Sequence, residues 1–180
     1  MTPKRKLAIA LLLLPILAVD AGAATKKELD RDGKKALHTL VSKVKAAKML
    51  NGKAVAVLVF PDMVKAGFMF GGQIGEGVLL RGGKPSGYYN SVGASYGLQA
   101  GAQKFGYALF FMNEKSVEYL DSSQGFEVGM GPSFVLVDEG KGKSMTSTTA
   151  TQDVYAFIFS QSGLMGGLGL QGTKISKIEK

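Results

Sequence analysis

Between residues 26 and 50 the apolar positions Leu29, Leu37, Leu40, Val41, Val44 and Leu50 recur at spacings of three, four or their sums. That is the period of an α-helix with one buried stripe. Asn51-Gly52 supplies a stop. The other faces carry Lys26, Lys27, Arg31, Lys34, Lys35, Lys43, Lys45 and Lys48 against Glu28, Asp30 and Asp32, so the helix is basic and amphipathic. Two uses compete for it: the stripe docks on the rest of the domain with the lysines solvated, or the helix lies on an anionic surface. Gly33 lowers helix propensity and predicts a loosely ordered start.

Beyond Gly52 the pattern changes to β-branched and aromatic runs separated by Gly-rich or polar breaks. Residues 54–60, 76–81, 88–102, 107–112, 126–137, 154–159 and 164–175 read as strands. Along 92–102 one face shows Val92, Ala94, Tyr96, Leu98, Ala100 and Ala102, and the other Gly93, Ser95, Gly97, Gln99 and Gly101. A face this bare lets another element approach the backbone and permits the coiling of a small barrel. Residues 54–60 are apolar on both faces, which predicts a central, covered strand with the N-terminal helix as its cover. Strands this numerous favour closure, because closure removes exposed edges. Pro61 to Ala66 and Asn113 to Leu120 read as short helices, the second with Asn113 as N-cap, Glu114 in its first turn and Val117 and Leu120 inward. Residues 81–87 and 138–151 read as mobile loops. The predicted fold class is mainly β with helices (α+β): a small antiparallel β-barrel-like core, with a long N-terminal basic helix and two short helices packed outside. Residues 24–53 form the helix and 54–180 the core of one domain.

The first 23 residues read differently. Lys4, Arg5 and Lys6 precede an apolar run from Leu7 to Val19, and Ala21-Gly22-Ala23 has the small-x-small spacing of a signal-peptidase site. The run is shorter than the about twenty apolar residues of a membrane span, so residues 1–23 are expected to be a cleaved secretory signal. The expected location is the periplasm or cell envelope, or outside the cell.

The chain has 180 residues, a net charge of +8, one His and no Cys. Disulfides, thiolate metal sites, thiol nucleophiles and a lipid-modified cysteine are excluded. A multi-histidine metal site cannot be built from His38 alone, which is expected to be solvated or capping. Gly71-Gly72-Gln73-Ile74-Gly75-Glu76-Gly77 lacks the Gly-Lys-Ser/Thr ending of a phosphate loop and reads as barrel-bend glycines. Asp138-Glu139 stands beside Gly140-Lys141-Gly142-Lys143 and reads as a polar hairpin tip rather than an acid/base pair. No enzyme activity, cofactor or metal is expected. A basic exported domain points to anionic lipid, envelope polymer or an acidic protein, and not to nucleic acid.

Phe60-Pro61-Asp62-Met63-Val64-Lys65-Ala66-Gly67-Phe68 and Gly71 through Leu79 resemble the opening signature of the SYLF lipid-binding domain. The likeness continues through Ser91 to Gln103 and Phe111-Met112-Asn113-Glu114, and ends on Ser160-Gln161-Ser162-Gly163-Leu164-Met165-Gly166-Gly167 and Gly169-Leu170-Gln171-Gly172. It spans Val55 to about Ile175 in family order. The resemblance implies a small β-barrel-like core with helices outside, binding of phosphoinositides or other anionic lipids, and no enzymatic activity, as in stand-alone exported bacterial members. Many relatives carry Trp after the Arg-x-Gly turn, where this chain has Tyr88-Tyr89 and no Trp anywhere. A basic helix ahead of the core is part of the family picture, and Lys26 to Lys48 matches it.

The candidate headgroup ligands are Lys34, Lys35, Lys43, Lys45 and Lys48 on the helix, Arg81 and Lys84 in one loop, and Lys141 and Lys143 in the other. The two loops would clamp a phosphate if they met at one rim. Each lysine near an anionic membrane adds about 1 kcal/mol, so weak, salt-sensitive binding is expected. Two alternatives are a small outer-membrane β-barrel and an envelope structural or adhesion protein that binds a protein partner.

Overall fold

The computed structural model describes residues 23–122, 126–127, 131–137, 150–163 and 173–180. Helix α1 (Lys26–Lys43) opens with a capping box: the Glu28 N–H donates to Thr25 Oγ1 at 3.3 Å and the Thr25 N–H donates to Glu28 Oε2 at 3.0 Å. The predicted single helix is interrupted at Val44, whose backbone is extended (φ −116°, ψ 109°), and resumes as α2 (Lys45–Asn51). The break lets Leu40 on one side and Ala46, Ala47 and Leu50 on the other all reach the sheet.

Strands β1 (Ala56–Arg81) and β2 (Lys84–Phe111) form one long antiparallel hairpin, paired from Ala56 opposite Phe111 to Arg81 opposite Lys84 with register shifts between Phe60 and Met63, Phe68 and Phe70, and Leu79 and Leu80. Only Gly82 and Gly83 lie between them, with φ of 54° and 75°. Two consecutive positive φ values are what a two-residue hairpin turn of matching twist requires. Residues 81–87 are therefore a tight turn running straight into β2, not a mobile loop. Pro61 to Ala66 are likewise strand and not helix. Pro61 and Asp62 fall where the register shifts between Phe60 and Met63, and a residue without an N–H is tolerated at such a bulge.

The second edge of β2 is shared. Its residues 88–93 pair with β6 (Thr173–Ile178) and its residues 103–111 with β5 (Val154–Gly163). The predicted strand 126–137 is two short ones, β3 (Phe126–Glu127) pairing antiparallel with β6, and β4 (Phe134–Leu136) running parallel to β5. The core is thus not wholly antiparallel. Residues 164–172 of the last predicted strand lie outside the described residues. Among the described residues the sheet is a curled half-barrel rather than a closed barrel, with β1 paired to β2 alone. The curl brings the two ends of β1 face to face. A Cβ on Gly77 would lie 2.6 Å from the Phe60 ring and 2.8 Å from the Val59 carbonyl, and one on Gly75 would meet Met63. Of the glycines from Gly71 to Gly77, Gly75 and Gly77 are the two where the inner side is filled by the opposite end of the strand.

Strand alternation sorts the core into two faces. Inside the curl, Leu58, Phe60, Met63, Tyr107, Leu109 and Phe111 pack with Val117 and Leu120 of α3 (Glu114–Ser122), and the Phe60 and Tyr107 rings stack at 5.9 Å. Asn113 caps α3 as predicted, its Oδ1 accepting the Ser116 N–H at 2.9 Å. Outside, Val57, Val59, Ala108 and Phe110 pack under Leu29, Leu40, Ala47 and Leu50. Residues 54–60 are therefore covered on both sides and by the N-terminal helices, though at the margin of the sheet and not at its centre.

Gly33 does not loosen α1. It is buried, and a Cβ there would collide with the stiff Val78 side chain. The glycine is what allows the helix to sit close on β1. Alanine in a helix interior ordinarily gains about 1 kcal/mol over glycine; here Gly33→Ala should destabilise by about 1–3 kcal/mol through overpacking. Urea denaturation of Gly33→Ala, with and without Val78→Ala to restore space, checks the sign and the rescue.

Candidate functional site

The lysines of α1 follow from its geometry. With Leu29, Gly33 and Leu40 committed to the sheet, about 100° of rotation per residue places Lys27, Arg31, Lys34, Lys35 and His38 on the opposite side. All five are exposed. Arg31 is held by Asp32 at 2.8 Å, and that hydrogen bond keeps the Asp32 carboxyl below its ordinary range. Lys43, Lys45 and Lys48 are exposed where α1 ends and along α2. The structure thus carries all five predicted helix lysines on the solvent side of one helical layer. Because the apolar stripe is used up against the sheet, the docked helices offer charge and no apolar face.

Arg81 and Lys84 oppose each other across the hairpin turn. Arg81 is already engaged: its Nη1 donates to both Glu114 oxygens at 2.8 and 3.0 Å. Lys84 is exposed. Lys141 and Lys143 lie outside the described residues, as do Asp138 and Glu139.

Neither Tyr88 nor Tyr89 is a surface aromatic. They point to opposite faces of β2 and are 8% and 0% exposed. The Tyr88 hydroxyl donates to Asp30 at 2.8 Å and Lys26 Nζ lies 5.6 Å over its ring. Burial, and then the Asp30 hydrogen bond, push the Tyr88 phenol up to about 12. The Tyr89 hydroxyl faces inward and donates to Asp121 at 2.6 Å, and burial raises its pKa as well. Asp121 also receives Lys177 Nζ at 3.0 Å.

Three features escaped sequence reasoning. An open cleft of about 520 Å³ lies between the start of α1 and β6, lined by Lys26, Asp30, Tyr88, Lys177, Glu179 and Lys180. Two of its lysines are spent on Asp121 and Glu76 at 3.0 and 2.9 Å, so it concentrates no net charge of one sign. The inside of the curl also turns polar away from α3, with Lys65, Gln73, Ser91, Gln103 and Thr173 all buried. Gln73 Nε2 donates to Thr173 Oγ1 at 2.8 Å, whereas Ser91 Oγ, Gln103 Oε1 and the Tyr107 hydroxyl find no partner among the described residues. Finally, the outer face beyond the helices exposes Ile74 and Val92, 58% and 47% accessible and directly opposite each other, with Lys174 next in the row. The alternation in 92–102 contained the signal for Val92, but its neighbours follow only from the register.

Among the described residues no cluster of three His, Asp or Glu could hold a metal ion, and no helix is long and apolar enough to cross a membrane. A family model described as "Ysc84: Las17-binding protein actin regulator" matches residues 92–180. No curated protein matches the chain.

The Tyr89–Asp121–Lys177 chain ties the inner core to the end of α3 and to β6, and it has a pH signature. Partial burial works to raise the Asp121 pKa, but the Tyr89 hydrogen bond and Lys177 outweigh it and hold the carboxyl below its ordinary range. Its stabilising contribution is therefore complete above the unfolded value near 3.9 and is lost as pH falls through the lower folded value. Tyr89→Phe should cost about 1–2 kcal/mol at pH 7, with a smaller difference from wild type at pH 2. Urea titrations at the two pH values measure both.

Proposed function

We propose, from the family-model match over residues 92–180 and the SYLF-like motifs between Phe60 and Gly172, that the chain is an exported, non-enzymatic protein that holds anionic lipid headgroups, phosphoinositide-like ones included, at a membrane surface. The observation that carries the reading is the layer of outward lysines, Lys34, Lys35, Lys43, Lys45 and Lys48, on helices whose apolar stripe is already buried. Such a surface binds by charge and without a pocket, so it favours anionic membranes over one defined headgroup. The exposed Ile74–Val92 pair beside Lys174 supplies a shallow apolar contact of the kind an interfacial protein uses.

A second reading is kept because the family description itself names protein binding: an envelope protein would occupy the same basic layer, with charge serving to steer the encounter. The outer-membrane barrel is disfavoured, since much of the outer face of the sheet is packed under α1 and α2 where a spanning barrel would meet lipid.

Sedimentation of the exported protein with neutral and anionic liposomes, at low and physiological salt, tests the reading. Binding is expected to anionic vesicles alone and to weaken with salt. Reversing the five lysines to Glu should weaken it at least about 100-fold, since each contributes about 1 kcal/mol, while far-ultraviolet circular dichroism stays unchanged because all five are exposed. Undiminished binding by the folded five-fold variant would refute the basic layer as the contact. Absence of binding at either salt would favour the protein partner.

A further inference from the structure

We infer that cleavage after Ala23 creates an N-terminal ammonium for which Glu76 is the built-in receptor. The inference rests on the export reading and is independent of what the mature protein binds. Two unrelated observations converge on one nitrogen atom. The small-x-small spacing of Ala21-Gly22-Ala23 puts the scissile bond between Ala23 and Ala24. In the folded protein the backbone nitrogen of Ala24 donates to Glu76 Oε2 at 3.0 Å, across 52 positions of sequence.

The surroundings suit a charged terminus. Lys180 Nζ donates to both Glu76 oxygens at 2.9 Å and to the Ala24 carbonyl at 2.8 Å. Its side chain is only 10% exposed, and that of Glu76 27%. Glu76 is thereby fixed in place, and Ala24 is gripped at both its nitrogen and its oxygen. The next residue, Thr25, is the N-cap of α1.

Hydrolysis adds water across the Ala23–Ala24 amide. The Ala23 carbonyl carbon takes the oxygen and leaves as a carboxylate, and the Ala24 nitrogen gains two protons to become an ammonium. One neutral N–H donor becomes a cation with three. A new positive charge beside a helix N-terminus opposes the helix dipole unless an anion meets it. Glu76 stands where that anion is needed, and the uncleaved amide makes only a neutral-donor version of the contact, which is the weaker kind. Processing therefore tightens the start of the basic helix against β1 and the end of the described chain.

The test begins with the full chain, expressed with its own leader in an exporting bacterial host, purified and weighed intact. The expected first residue is Ala24. Brief acylation with an N-hydroxysuccinimide ester at pH 7.5, followed by peptide mapping, then compares the Ala24 amine with the exposed Lys34. The Ala24 amine should react about tenfold more slowly in the native protein than in urea, the ratio that one charge-assisted contact supports, and Glu76→Gln should abolish most of that protection while leaving Lys34 unchanged. A chain that keeps its leader overturns the export reading, and one that starts at another residue overturns the Ala23–Ala24 junction and the receptor with it while leaving export standing. A chain that starts at Ala24 with an amine equally reactive in both states overturns the receptor alone. Should Glu76→Gln fail to fold, the native-to-urea ratio of the wild type decides by itself.

Discussion

The backbone ladders of β2 hold the molecule together. One edge of this strand is paired with β1 from end to end, and the other is divided between β6 and β5. The peptide groups of β2 have no comparable alternative partners once the strand is buried, so β1, β5 and β6 take their places from it. The handover between β6 and β5 falls where the strand is richest in glycine and alanine, which lets it bend between two partners. Curvature then decides the rest: β1 is folded onto itself at Gly75 and Gly77, α3 fills the inside of the curl, and α1 and α2 take the outside.

The surface is a by-product of that core. Each apolar residue the helices spend on the sheet turns a lysine outward, so the basic layer and the outer core cluster are two readings of one periodicity. The same constraint governs the ion pairs. Arg81–Glu114, Lys177–Asp121 and Lys180–Glu76 each join elements remote in sequence at the margins of the sheet. They remove three cations from any free electrostatic surface and leave the helical layer as the main unopposed positive field among the described residues.

What could be read from the sequence was what is encoded locally. The stripe from Leu29 to Leu50, the Asn113 cap and the two-sided apolar run at 54–60 each depend on neighbours within one or two turns. The rest failed for stated physical reasons. Pro61-Asp62 carries the signature of a helix start, but pairing of 63–68 with 100–105 overrides it and leaves the proline at a bulge. Residues 81–87 have the composition of a loop, yet two positive φ angles suffice to turn the chain. Gly33 has poor helix propensity, and its value lies in what it lets Val78 do. Thr25 and Glu28 do form the Ser/Thr-x-x-Glu spacing of a capping box, a signal that was available. Asp121 and Lys177, or Glu76 and Lys180, have no such signal, because the docking of α3 brings the first pair together and the registers of β1 and β6 on β2 the second.

The tight turn at Gly82–Gly83 also has a consequence for the order of assembly. The β1–β2 hairpin closes from a two-residue turn, the least costly loop in conformational entropy, and can form as soon as residue 111 is free. Its second edge must wait for residues 154–178. Until they arrive, β2 presents a long, apolar, unpaired edge, the kind of template on which chains join one another. A chain that emerges N-terminus first passes through that state before its last two strands arrive, so the time they take to reach β2 counts beside the stability of the finished sheet.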